Sequence, residues 1–181
     1  MRTLAAALVT LLAAAPALAA PAPKAEPAPP NTVSSVTVVP AGAPKLVGAF
    51  PADGSVVAPG VTVLKVTFDQ KMLPDRFDFA AAPGGAMPDC LKTPRLLSDG
   101  KTFVLLCTTA PKTAYRIALN AGAKGGFENA GQIRAAPATL AFSTNDAQGP
   151  VNIESAMKAA SLAPDDTPIE NSVITTGRGA P

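Results

Sequence analysis

Between Lys45 and Thr144 the sequence breaks into short apolar runs, each ended by a turn rich in proline, glycine or aspartate. Within the runs, apolar residues recur at every second position. Thr62, Leu64, Val66 and Phe68 alternate with Val63, Lys65, Thr67 and Asp69. A period of two puts alternate side chains on opposite faces of a strand, which predicts the first set inward and the more polar set toward water. Leu46–Phe50 forms a first run, stopped by Pro51-Ala52-Asp53-Gly54. Phe77 and Phe79 alternate with Arg76 and Asp78. Phe103, Leu105 and Cys107 share one face of a further run. Tyr115, Ile117 and Leu119 share another, opposite Arg116 and Asn120, and Leu140 and Phe142 mark the last. Six or seven short strands in about 100 residues predict an all-β fold, an antiparallel β-sandwich, with a small barrel as the rival arrangement.

The flanks have different chemistry. Met1-Arg2, the uncharged run Thr3–Ala15 and the small residues of Pro16-Ala17-Leu18-Ala19-Ala20 have the layout of a secretory signal peptide over residues 1–19, cleaved after Ala19. The apolar run before Pro16 is shorter than the ~20 residues a membrane-spanning helix needs, so no transmembrane segment is expected once the signal is removed. The expected location is the periplasm or beyond. Residues 20–43 read as a Pro/Ala-rich linker, extended and semi-rigid, with Val33–Val39 as a short strand. Residues 44–145 form the sandwich. In 146–181, Ile153, Ala156, Met157 and Ala160 recur at helical spacing within Val151–Ala163, behind an Asn152 cap and before a Pro164 stop. A short amphipathic helix followed by a disordered tail is the expectation.

Export gives the two cysteines their meaning. An oxidising compartment makes Cys90–Cys107 pairing the default, and the turn Ser98-Asp99-Gly100-Lys101 between them is a hairpin signal that brings the two nearly opposite. A redox pair usually requires Cys-x-x-Cys, and structural zinc requires four ligands, so a structural disulfide is predicted.

Composition excludes several chemistries. The chain contains no histidine, which removes imidazole bases, His-based triads and His-ligated metals. Fifteen basic against thirteen acidic side chains leave no basic footprint for nucleic acid. Asp75 and Asp78, three apart on a predicted strand, point to opposite faces and form no proton-sharing pair. Residues 44–145 hold 11 basic and 7 acidic side chains, and 146–181 hold 2 and 5, so the tail is weakly attracted to its own domain or to a partner.

Four stretches carry a family likeness. Val47-Gly48-Ala49-Phe50-Pro51-Ala52-Asp53-Gly54-Ser55-Val56 resembles the "P-x-D-G-S/A" opening of bacterial Ig-like domains of the S-layer type, and Val66-Thr67-Phe68-Asp69-Gln70-Lys71-Met72 their "v-x-F-S-x-x-M" strand end. Pro111–Ile117 is similar to their "p-x-T-x-Y-x-v" strand. Glu128-Asn129-Ala130-Gly131-Gln132, followed by Ala141-Phe142-Ser143-Thr144, resembles their "D-x-A-G-N … f-F-T" ending, with Glu128 and Gln132 where Asp and Asn are usual. The resemblance spans residues 46–144 and implies an Ig-like sandwich used as a spacer or binding module. The same opening is similar to periplasmic copper-carrying domains of the CopC type. Their histidine ligands have no counterpart here, and Met72 reads as a core plug rather than a Cu(I) ligand.

The functional expectation is therefore an exported, non-catalytic module for interaction or spacing in the cell envelope, with an envelope or cell-surface protein as partner. No catalytic residue, cofactor or metal site is expected. The alternative is a small-ligand or metal carrier, for copper or for calcium, with Asp53, Asp69, Glu128 and Asn129 as possible oxygen ligands near strand ends. Gly122–Gly131 is the expected binding loop, through Lys124, Phe127, Glu128 and Asn129, because loops on a rigid sandwich commonly carry recognition. Tyr115 is expected to bond back to the chain as a tyrosine corner, and Asp53 to bond its own turn.

Overall fold

The computed structural model describes residues 42–122 and 125–169; residues 1–41, on which the expected signal segment, the expected linker and its Val33–Val39 strand fall, Ala123-Lys124 and residues 170–181 lie outside the described residues. The described part is an all-β sandwich with one short helix. Its elements are β1 (Leu46–Phe50), β2 (Ser55–Val57), β3 (Gly60–Phe68), β4 (Phe79–Ala81), β5 (Asp89–Cys90), β6 (Arg95–Leu96), β7 (Thr102–Thr109), β8 (Ala114–Leu119), β9 (Ala138–Thr144) and α1 (Ile153–Ala159). One sheet runs β1-β3-β7, with β5 and β6 both paired to the far side of β7; the other runs β2-β9-β8-β4. Among the described residues no helix is long and apolar enough to cross a membrane.

The alternation predicted for the inner faces holds. Leu64, Val66 and Phe68 of β3 meet Phe103, Leu105 and Cys107 of β7, Tyr115, Ile117 and Leu119 of β8 and Phe142 of β9 in one buried cluster. Burying each large apolar side chain contributes about 1.5–3 kcal/mol. The Tyr115 hydroxyl accepts a hydrogen bond from the Ala110 N–H at 2.8 Å, which forms the tyrosine corner.

The sheets are not purely antiparallel. β2 pairs with β9 in parallel, because the chain leaves β1 at the edge of one sheet and joins the edge of the other after Pro51–Gly54. Asp53 makes that crossing, and not by bonding its own turn. Its Oδ1 accepts from the Ala141 N–H at 2.8 Å, while the Gly54 N–H donates to the Ala141 carbonyl at 2.7 Å. The carboxylate thus stands in for a strand carbonyl and extends the ladder by one rung. Asp53→Ala is expected to cost about 1 kcal/mol in chemical denaturation, and Asp53→Asn, which keeps an acceptor oxygen, distinctly less. Equal losses would show that the acceptor is not what matters.

The outer face of the first sheet departs from the water-facing expectation. Val63 is fully buried because α1 lies across it, with Ala156, Met157 and Ala160 packed on Val63, Leu97 and Val104. Two alanines four apart give the helix a flat face that approaches closely. Asn152 caps it in a capping box with Ser155. Lys65, predicted to be solvated, reaches the other end and donates to the Ala160 carbonyl at 2.5 Å, a cation at a helix C-terminus. The chain arrives at α1 by crossing the β2–β3 connection in close contact. A Cβ on Gly149 would sit 1.8 Å from the Pro59 carbonyl oxygen, so only glycine fits there.

The hairpin turn is as predicted, but the register is not continuous. Arg95 and Leu96 pair with Val104 and Phe103, whereas Cys90 pairs with Cys107, so two residues between β5 and β6 are left over and bulge outward. This extrusion, ending at Pro94, aligns the cysteines, and the disulfide forms between directly opposite residues. In the turn, Asp99 accepts from the Lys101 N–H (2.8 Å), the Thr102 N–H (2.9 Å) and the Thr102 hydroxyl (2.6 Å). Partial burial pushes its carboxyl up, but these bonds and the Lys101 charge outweigh that and hold it below the ordinary aspartate value. A depressed native value means stability that is present above about pH 4 and lost as pH falls through the native value. The stability gap between the native chain and Asp99→Asn is therefore expected to narrow below about pH 4 in denaturation curves taken across pH. A gap independent of pH would rule out the linkage.

Edge strands are short or broken. β2 and β4 have three residues each, β5 and β6 two each, and β1 carries a bulge between Leu46 and Gly48 that turns Val47 out to 62% exposure.

Candidate functional site

The predicted binding loop turns inward. Phe127 is fully buried between the sheets, its ring centroid 5.0 Å from Phe68, 5.1 Å from Phe79 and 5.0 Å from Phe103. It plugs the core and is removed from the candidate binding residues. Asn120, expected on the polar face of β8, causes this. Its backbone adopts φ 59°, and its side chain is buried. Its Oδ1 accepts from the Phe127 N–H at 2.6 Å, and its Nδ2 donates to the carbonyls of Phe127 (3.3 Å) and Ala135 (2.8 Å). The loop wraps so tightly that a Cβ on Gly126 would lie 2.2 Å from the Asn120 Oδ1.

Asn129 repeats the device. It is fully buried; its Oδ1 accepts from the N–H groups of Gly131 (3.0 Å) and Ile133 (2.9 Å), and its Nδ2 donates to Gln70 Oε1 (2.9 Å) and the Gly42 carbonyl (3.3 Å). Glu128 forms an isolated bridge with Arg134 along the backbone, and its carboxylate lies 3.6 Å from Arg76. Lys124 lies outside the described residues. The buried asparagines were not singled out as structural by sequence reasoning, though one signal was available. Both follow or precede glycine-rich stretches, where a short amide that tolerates positive φ can replace backbone partners.

The oxygen ligands considered for calcium are not brought together as a set. Asp53 is bound to β9, and Asp69 Oδ1 accepts from the Lys45 N–H at 2.9 Å. Among the described residues no three His, Cys, Asp or Glu side chains are grouped to hold a metal ion. Met72 is 5% exposed inside the aromatic cluster, as a core plug. Asp78 accepts from the Gly122 N–H at 3.2 Å through Oδ2. Ser-x-x-Lys, a spacing used by some serine nucleophiles, occurs at Ser98–Lys101 and Ser155–Lys158. The Ser155 hydroxyl is occupied in the helix cap, and the Lys101 ammonium donates to the Asp69 carbonyl at 3.1 Å.

Concave surface is found elsewhere: a hollow of about 730 Å³ runs along α1 past Met157 and Leu162, and others lie along the side of the sandwich where β4, β5 and β6 end the two sheets. Two hollows of about 450 and 610 Å³ meet there and share Phe77 and Leu91. Phe79, Met87 and the Cys90 end of the disulfide line the first; Pro74, Leu96 and Ile169 line the second. Leu91, turned out by the bulge between β5 and β6, is 48% exposed between them. A search of models for known protein families finds no match to this chain, and no curated protein sequence matches it.

Proposed function

We propose that the chain is an exported, non-catalytic Ig-like module that serves interaction or spacing in the bacterial cell envelope. The observation that carries this reading is the use made of its polar side chains. Asp53, Asp69, Asn120, Asn129 and Tyr115 each bond main-chain groups that hold a loop or a sheet crossing in place. Side chains so used make a rigid scaffold rather than a convergent reactive site. The formed Cys90–Cys107 disulfide is in keeping with an oxidising compartment.

The test begins with the full chain expressed in a Gram-negative host. Fractionation and intact mass are expected to find it in the periplasm, starting at Ala20, with both thiols oxidised. A photo-crosslinker at Leu91 is expected to capture one discrete envelope protein, and one at Lys112 none. An unprocessed cytoplasmic chain overturns the export reading. Heat on titration with Cu(I), Cu(II) or Ca²⁺ would replace the interaction module with a metal carrier.

A further inference from the structure

The larger of the two hollows beside β4, β5 and β6 already holds a piece of this chain. Beyond α1, the segment 163–169 reaches β6, where Arg95 Nη1 donates to the carbonyls of Asp165 (3.0 Å) and Thr167 (2.7 Å). Pro168 is buried and lines this hollow together with Ile169, Pro74, Phe77, Leu91 and Leu96. Among the described residues, the other hydrogen bonds of 163–169 are internal to it. The Asp166 N–H donates to the Ala163 carbonyl, the Ala163 N–H to Asp166 Oδ2, and the Ile169 N–H to the Thr167 hydroxyl. One side chain, and no strand ladder among the described residues, therefore latches the segment, and Ile169 remains 40% exposed. The smaller hollow shares Phe77 and Leu91 but has no described residue of this segment in its lining.

We infer that this segment is an internal stand-in for a partner: the hollow receives a proline-centred, extended segment of another protein, and 165–169 occupies the seat in its absence. The present occupant displays what the seat reads. Arg95 offers its donors to main-chain carbonyls, which every sequence carries, so it fixes backbone position and not side-chain identity. Specificity falls to the hollow, whose Pro74, Phe77 and Leu96 make the apolar, partly aromatic wall on which proline segments dock. Proline fixes its own φ and steers the residue before it to extended backbone, so such a segment loses little freedom on docking. The covalent connection gives 165–169 an effective concentration on the order of millimolar, which a free segment must exceed. A partner can exceed it by also filling the smaller hollow, over Phe79 and Met87. The inference rests on the interaction-module reading for the existence of a partner and names that partner's chemistry.

The test uses the full chain and a synthetic peptide Asp-Asp-Thr-Pro-Ile, blocked at both ends, followed through the methyl resonances of Leu91 and Leu96. The double variant P168D/I169D takes the internal occupant out of the hollow and leaves Arg95 in place. It is expected to bind the peptide at least about tenfold more tightly than the parent, whose seat is free only part of the time. R95A also unlatches the segment, yet it is expected to bind no better than the parent, because the group that reads the carbonyls is gone. Equal affinity in parent and P168D/I169D, or no binding to either, overturns the inference. R95A binding as tightly as P168D/I169D overturns it too, and so does loss of the folded spectrum in P168D/I169D, which would make the segment a structural brace. A parent that sediments as a dimer through exchanged 165–169 segments also overturns it, and gives the seat to a second copy. Peptide binding is read without envelope extract, so its failure is separate from a failure to capture a protein at Leu91, which would strike the interaction-module reading and leave the seat's chemistry intact.

Discussion

Phe127→Ala is expected to lower the unfolding free energy by about 3–5 kcal/mol, the range for deleting a large aromatic from a packed core. The ring touches Phe68, Phe79 and Phe103, which belong to different strands, so its loss leaves a void that neither sheet can close alone. Urea denaturation followed by circular dichroism would measure this, with Phe77→Ala as the comparison. Phe77 is only partly buried against the same cluster and should cost well under half as much. A loss below about 1 kcal/mol for Phe127→Ala would mean that the 120–135 loop is peripheral after all. The substitution also bears on function. If recognition ran through this loop, the damage would appear first as lost binding with little change in stability.

Replacing both cysteines by alanine is expected to cost about 3 kcal/mol, the chain-entropy value for a loop of this size. The bond joins residues 17 apart in sequence and ties β5 to β7, where β5 contributes only two paired residues. Without the link, so short a strand has little to hold it, and the unfolded chain can expand further. The urea m-value is therefore expected to rise while the midpoint falls. Reduced native protein and the double alanine variant should unfold at similar urea concentrations. Unchanged stability on reduction would show that the β5 edge is held by packing alone.

What could be read directly from the residues was local. Period-two alternation placed Leu64, Val66 and Phe68 inward, the Asp99-Gly100 turn placed the hairpin, and Asn152 marked the start of the helix; its end came earlier than the expected Pro164 stop, at Ala159, where Ser161 turns the backbone to φ 52° and the N–H groups of Ser161 and Leu162 close the last carbonyls. What escaped was decided by groups far apart in sequence. Val63 looked solvent-facing because its cover, Met157, lies more than ninety residues away. Asp53 looked like a turn residue because its acceptor role involves Ala141, 88 positions on. Phe127 sits among Gly, Glu and Asn, a composition that signals exposure; Asn120 supplies the backbone partners that allow the segment inside. The two-residue extrusion before Pro94 could not be read from spacing, since a regular hairpin from the same turn would place Cys90 opposite Thr109.

The irregular edges bear on how closely copies of such a chain can be packed together. A straight, unpaired strand is a template onto which a neighbour's backbone can crystallise, and at high local density that is the route to fibres. Among the described residues, the outermost strands are cut to two or three residues or kinked at Val47, so none offers a long free ladder. Neighbouring copies can therefore be crowded together without these edges offering a long backbone ladder to pair on.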